Sequence, residues 1–174
     1  MAGANTGGAT GFEAASTGDA PCLGYTALDV AKWFVNATDR EAGDAITHLK
    51  AQKLVYYAQG WALAHLGRPL FAEDLQAWAH GPVAPSVFEH FRPHGYDALP
   101  SQRITRRIVG DAAALLQGVH ARYGIYSAKR LEAMTHEEAP WRDARGGLAP
   151  DARSAAIIPK SAMRAWFEAL RVAA

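Results

Sequence analysis

The sequence predicts a mainly helical fold, a compact single-domain bundle around a central buried helix with at most one short strand pair. Three observations carry that expectation. Wound at about 100° per residue, residues 47–66 are apolar on nearly every side, the pattern of a helix enclosed by neighbours. Helix-start signals recur at Thr26, Ser127 and Ser161, each followed by an apolar periodicity close to 3.6 residues. The chain has 174 residues, 49% hydrophobic and 20% charged, a length and balance that suit one domain burying roughly 70% of its unfolded surface.

Residues 1–24 are rich in Gly, Ala, Thr and Ser, with only Phe12 and Leu23 as larger apolar groups, and read as a mobile tail ahead of a domain spanning 25–174. The domain opens with Thr26 and Asp29 at capping-box spacing and with Tyr25 and Val30 as a hydrophobic staple. A helix of about ten residues should follow, with Val30, Trp33 and Phe34 turned inward. In the central helix Leu54 and Trp61 should be core residues, while Lys50, Lys53, Gln52 and Gln59 interrupt an otherwise apolar surface. Gly67 and Pro69 stop it.

Residues 74–79 are expected to form a helical turn or two, residues 81–85 a break, and residues 86–91 a short helix ended by Pro93 and Gly95. Residues 96–110 read as a short strand or an irregular connection. Three more helices are expected: over 111–123, with Leu115, Leu116 and Val119 inward; over 128–135, capped by Ser127; and over 162–171, capped by Ser161 and carrying Met163, Trp166, Phe167 and Leu170 inward.

Composition argues against several function classes. The net charge of +1 and pI near 7.9 lack the excess that non-specific nucleic-acid binding draws on. Arg103, Arg106 and Arg107 form the densest basic cluster. With Lys50 and Lys53 they are the candidates for a phosphate-binding face of a DNA-binding regulator, and they come without a helix-turn-helix pattern. No apolar run approaches a membrane span and residues 1–10 carry no secretory pattern, so the expected compartment is the cytoplasm. Cys22 is the single cysteine and reads as an incidental thiol.

Phosphate loops, dinucleotide fingerprints and G-x-S-x-G elbows are absent, and no cofactor is expected. His90 and His94 have the spacing of a helical metal pair, but Pro93 stands between them. His136-Glu137 opens like a zinc-protease helix, yet Pro140 occupies the place of the second histidine, so no metal site is expected there either. A looser grouping of His80 and His136 with Glu137 or Glu138 in one cleft would supply an acid and a base, as in an uncharacterised hydrolase-like enzyme; the alternative leaves Glu137 and Glu138 solvated. Trp78 and Trp141 lie beside backbone breaks, where large aromatics either plug the core or anchor a partner.

Three stretches together resemble the SocA-like antitoxin (Panacea domain) family, formerly grouped with phage-associated GepA-like proteins. Residues 46–60, including Lys53, Leu54, Tyr56, Tyr57 and Gly60, are similar to its central-helix signature. Pro69-Leu70-Phe71 continues into Gln76-Ala77-Trp78 and Gly81-Pro82-Val83, and Leu131 with Thr135-His136 leads to Pro140-Trp141. Order and spacing agree over about residues 25–171. Ala51 departs from the pattern, standing where the family more often has a larger apolar residue, and residues 1–24 have no counterpart in it. The resemblance implies an antitoxin, not an enzyme, that binds and neutralises a cognate protein toxin encoded by the adjacent gene. It also implies a proteolytic adaptor as one form of that role, with ClpXP as a further partner. The residues that unite the resemblance with directional or aromatic side chains are Lys53, Tyr57, Trp78, His80, His136 and Trp141, and these are the candidates for partner binding.

Overall fold

The computed structural model describes residues 21–173. Helix α1 (Ala27–Ala37) starts on the capping box that Thr26 and Asp29 predict. The Thr26 hydroxyl accepts from the Asp29 N–H at 3.0 Å, and the Asp29 carboxylate accepts from the Thr26 N–H at 3.0 Å. Val30 and Phe34 are fully buried, and Trp33 packs partly exposed beside them. Most of the segment read as a mobile tail lies outside the described residues. Residues 22–25 run along residues 69–71, where the Leu23 N–H donates to Pro69 O (2.9 Å), the Tyr25 N–H to Leu70 O (3.1 Å) and the Cys22 thiol also to Leu70 O (3.3 Å).

Helix α2 (His48–His65) is capped by Thr47 and is buried without interruption from Ala51 to Ala64. The two glutamines that interrupt its apolar pattern have both ends of their amides satisfied. Gln52 accepts from the Ala84 N–H (2.8 Å) and donates to Ala84 O (3.2 Å), while Gln59 accepts from the Leu70 N–H (2.8 Å) and donates to Phe71 O (2.8 Å). Each clamps a stretch of irregular backbone to the central helix, where an unpaired buried amide would cost about 1 to 3 kcal/mol. Gly67, at φ +64°, turns the chain out of α2 as the C-cap pattern predicts.

Residues 74–79 are not helical, which corrects the sequence expectation. Strand β1 (Leu75–Trp78) pairs antiparallel with β2 (Gly81–Val83) through a two-residue turn, Ala79 and His80. The register is Gln76 with Val83, Ala77 with Pro82 and Trp78 with Gly81, and Gly81 takes φ +97°. A four-residue strand is too short for its alternation to register in the sequence. Its other edge is held by β3 (Ile157–Ile158), far along the chain, which pairs Leu75 with Ile158 and Gln76 with Ile157 in a sheet of order β2-β1-β3.

Helix α3 (Pro85–Phe91) follows the hairpin, and Arg92–His94 extends it as a 3₁₀ turn. Residues 96–109 form no strand and follow the irregular alternative, with Leu99 and Ile108 anchoring them to the core. Helices α4 (Gly110–Tyr123), α5 (Ala128–Glu137) and α6 (Ala139–Ala144) come next. Ser127 caps α5 as expected, whereas α6 was not foreseen as a separate helix: Pro140 sits in its first turn, where a missing N–H costs nothing. Helix α7 (Lys160–Ala173) begins two residues earlier than the Ser161 signal suggests, because Pro159 O already accepts from the Met163 N–H. In α4 Leu116 and Val119 are buried, and Leu115 is only half-buried.

Every other helix but α6 packs on α2, and α7 covers the most of it. The closest approach is at Gly60, where an added Cβ would lie 2.2 to 2.5 Å from the ring of the fully buried Phe167. Tyr56, Tyr57 and Trp61 meet the same ring edge-on, at centroid distances of 5.6, 6.1 and 5.1 Å, so it has no room to retreat. Gly60→Ala, a change that favours an isolated helix, is therefore expected to destabilise this protein by about 2 kcal/mol or more through overpacking. Urea denaturation checks this, and an unchanged or raised midpoint would contradict the packing described.

Candidate functional site

Lys53 projects from the middle of α2 beneath the β1–β2 turn and is fully buried. Its ammonium donates to Pro82 O at 3.1 Å. A Cβ on Gly81 would stand 2.7 Å from Lys53 Cε and Nζ and 2.8 Å from Thr135 Oγ1, so the positive φ and the close approach both require glycine there. Burial drives the amine down to about 7; the Glu132 carboxylate opposes the change and Lys129 adds to it.

One helical turn along, Tyr56 and Tyr57 both donate to the buried carboxylate of Glu138, at 2.7 and 2.9 Å. Burial pushes the Glu138 carboxyl up to about 7 even though the two hydroxyls act the other way. Burial and the facing carboxylate push both phenols upward. Tyr57 stacks on Tyr123 at 3.9 Å between centroids, and the Trp61 indole donates to the Tyr123 hydroxyl at 2.9 Å. The tyrosines thus link α2 to the α5–α6 corner and to α4.

Above Lys53 these interactions reach the surface. Exposed His80, at the hairpin turn, meets the Glu132 carboxylate at 2.9 Å, and Lys129 donates to the same carboxylate at 2.8 Å. Burial alone would raise the Glu132 carboxyl, but the hydrogen bonds from Lys129 and His80 outweigh it and hold it below the usual range. The His136 ring stacks on Trp141 at 4.1 Å and hydrogen-bonds the Ala79 backbone. The Trp141 indole donates to Trp78 O (2.8 Å), and the Arg145 guanidinium lies 4.9 Å over the Trp141 ring. Buried Arg145 also donates to Ala77 O, Ala149 O, Pro150 O and Ala152 O, tying the loop before β3 to the hairpin.

Of the six candidates, His136 and Trp141 stand together against the turn end of the hairpin beside the Trp78 carbonyl, His80 sits exposed in the same turn, and Lys53 lies beneath it. Tyr57 belongs to the Glu138 cluster. Lys53 and Tyr57 have no exposed surface and Trp141 almost none, while Trp78 and His136 are half-buried. Glu132 and Arg145 carry no signal in the sequence reading, and Tyr56 enters it only within the central-helix stretch. Glu138 is buried on two tyrosines, neither the cleft acid beside His136 nor the solvated residue weighed from sequence. The available signal was the adjacent Tyr56 and Tyr57 on a helix with no polar face, since buried hydroxyls require an acceptor.

The structure does not assemble the acid–base cleft considered from sequence. Glu138 is committed to two tyrosines, Glu137 is exposed, and His136 is held between Ala79 and Trp141. Among the described residues no group of three His, Cys, Asp or Glu side chains is placed to hold a metal ion. The basic face is likewise divided. Lys53 is interior, Lys50 donates to Gly124 O (2.6 Å), and Arg106 lies over the Tyr25 ring and bonds Gly24 O. None of the described helices is long and apolar enough to cross a membrane. An open groove of about 450 Å³ runs between the C-terminal half of α2 and α4, lined by Trp61, Leu66, Leu115 and Val119 among others.

Comparison with known proteins adds a family. The model of the family described as antitoxin SocA-like, Panacea domain, matches residues 51–142, which take in most of α2, the hairpin and helices α3 to α5. A relative from Caulobacter vibrioides (strain NA1000 / CB15N), named Antitoxin SocA, is 40% identical over 75 residues. That alignment covers 43% of this chain and spans 36% of the relative's length. No solved structure matches the chain.

Two of the buried ionisable groups, Glu138 and Lys53, predict a characteristic pH profile. Glu138 has a raised carboxyl in the folded state, so its stabilising contribution is complete below about 4.5 and is lost as pH rises through about 7. Lys53 has a depressed amine, so its contribution is complete above about 10.5 and is lost as pH falls through about 7. At most the limbs amount to roughly 3 kcal/mol for Glu138 and roughly 5 kcal/mol for Lys53. Glu138→Gln is expected to flatten the acidic limb and Lys53→Met the alkaline one, as read from urea midpoints between about pH 5 and pH 10. Profiles parallel to the unaltered protein's would contradict this reading.

Proposed function

The chain belongs to the SocA-like antitoxin, Panacea-domain family, and from that membership we propose that it neutralises a cognate protein toxin by binding it directly. The family match over residues 51–142 is the observation that carries the reading. Its span holds all six candidate residues, and Trp78, His80 and His136 offer aromatic and directional groups at the hairpin surface. Lys53 and Trp141 support that surface from beneath, while Tyr57 lies deeper, in the Glu138 cluster. Aromatic groups on a rigid base suit partner binding, because little side-chain entropy remains to be lost.

The antitoxin domain is residues 25–174, and Cys22 and Leu23 just before it bond to Leu70 and Pro69 of the same domain. The partner is the product of the adjacent gene, and the complex forms in the cytoplasm. Neutralisation takes one of two forms: occupancy of the toxin's active surface, or delivery of the bound toxin to an ATP-dependent protease such as ClpXP.

Co-expression of this chain with the adjacent gene's product tests the proposal, with growth and the product's half-life measured in cells with and without ClpXP. Growth rescue is the expected result, and a half-life shortened only where ClpXP is present identifies delivery. Absence of rescue, together with absence of a complex on purification, would overturn the assignment for this pair.

A further inference from the structure

The β1–β2 turn is held from inside by a series of side-chain bonds to its backbone. Arg145 donates to Ala77 O (2.9 Å), the Trp141 indole to Trp78 O (2.8 Å) and Lys53 to Pro82 O (3.1 Å), while the His136 ring bonds the Ala79 backbone. A turn fastened at so many nearby positions keeps little freedom, and the residue it carries outward is His80, with 74% of its side-chain surface exposed. Against the ring lies Glu132, whose side chain is only 10% exposed. Its Oε1 meets His80 Nδ1 at 2.9 Å, and its Oε2 accepts from Lys129 Nζ at 2.8 Å.

This contact does more for the ring than for the fold. A bond to so exposed a side chain contributes little to stability, whereas drawing a carboxylate out of water carries a cost. What the contact fixes is the tautomer. The hydrogen bonds from Lys129 and His80 keep Glu132 ionised, and an ionised carboxylate can only accept, so the hydrogen stands on His80 Nδ1. In the neutral imidazole Nε2 is then a bare lone pair, on the side of the ring away from Glu132. Nε2 has no partner among the described residues. An acceptor held in one orientation on a fastened turn loses little entropy when a donor reaches it.

We propose that His80 Nε2 accepts a hydrogen bond from a donor group of the cognate toxin, and that Glu132 is the positioning residue that turns this lone pair outward. The inference rests on the antitoxin reading, and it names the chemistry that the toxin brings to one residue of the hairpin surface.

Glu132→Gln tests the positioning without a change of shape. The Lys129 ammonium needs an acceptor, so the new amide gives its oxygen to Lys129 and turns its NH2 toward His80 Nδ1. Nδ1 must then accept, the ring hydrogen passes to Nε2, and a donor faces the toxin's donor. In the Lys129→Met background the amide is free to turn its oxygen to His80 instead, which keeps the original tautomer.

Two measurements on the full chain decide the matter: affinity for the adjacent gene's product, and nitrogen NMR of the His80 ring, assigned by its loss in His80→Ala. The hydrogen is expected on Nδ1 in the unaltered chain and on Nε2 in Glu132→Gln. His80→Ala should weaken binding by about 10-fold, and Glu132→Gln by at least as much although it removes no contact with the toxin. Measured against Lys129→Met alone, adding Glu132→Gln should cost little. Full affinity in a folded His80→Ala protein overturns the proposal and leaves the antitoxin reading standing, whereas failure of the unaltered chain to bind overturns both. An equal loss from Glu132→Gln in both backgrounds overturns the positioning role, and tighter binding by Glu132→Gln overturns the toxin's donor in favour of an acceptor. Should Glu132→Gln fail to fold, the unaltered chain and His80→Ala decide: a ring with its hydrogen on Nε2 and none on Nδ1 overturns the proposal, as does undiminished binding without the imidazole.

Discussion

The enclosure of α2 on all sides is the constraint from which the other elements take their places. A helix in that position cannot leave a polar group unsatisfied, so the polar side chains it buries between Gln52 and Gln59 become fastenings for other segments. Gln59 holds residues 70–71, Gln52 holds Ala84 at the start of α3, Lys53 holds Pro82 in β2, and Tyr56 with Tyr57 holds Glu138 between α5 and α6. Hydrophobic burial supplies most of the driving force, but apolar contacts are tolerant of small shifts. These hydrogen bonds select one register for each attached piece.

That division explains which parts of the molecule were legible in the sequence. Helices α1, α2, α4 and α5 carry their periodicity and, for three of them, their start signals locally, and all four stand close to where the sequence puts them. The Thr26–Asp29 box and the Thr47 cap are local interactions that form wherever the chain folds. Strands β1 and β3 were not legible, since neither is long enough to show alternation and each exists because the other lies beside it. Helix α6 is a single turn or two hidden behind Pro140. Glu138 is the same kind of case: a glutamate two residues before a proline reads equally as a cleft acid or as solvated until two tyrosines some eighty residues earlier in the chain turn out to face it.

The candidate binding residues show a related asymmetry. Residue types able to make directional contacts pick out the right neighbourhood, because Lys53, Trp78, His80, His136 and Trp141 all cluster about one hairpin. Residue type alone does not separate the inner layer from the outer one. Lys53 is the clearest case: a lysine on an otherwise apolar helix looks like a group reserved for a partner, and its amine is spent on a carbonyl of the same chain. Family membership supplies what residue type does not carry, namely the class of partner.

The packing of Phe167 against Gly60 bears on how the molecule comes into being. Of the seven helices among the described residues, α7 is the last to be synthesised, and it is the one that covers most of α2. Translation proceeds at about 5 to 20 residues per second, so a nascent chain carrying α1 to α6 presents the aromatic flank of α2 uncovered for a second or more. A chain cut short before Phe167 would keep that flank open permanently, with Tyr56, Tyr57 and Trp61 in reach of chaperones and proteases. Closure of the core therefore waits on α7, which supplies the Phe167 ring that Tyr56, Tyr57 and Trp61 meet.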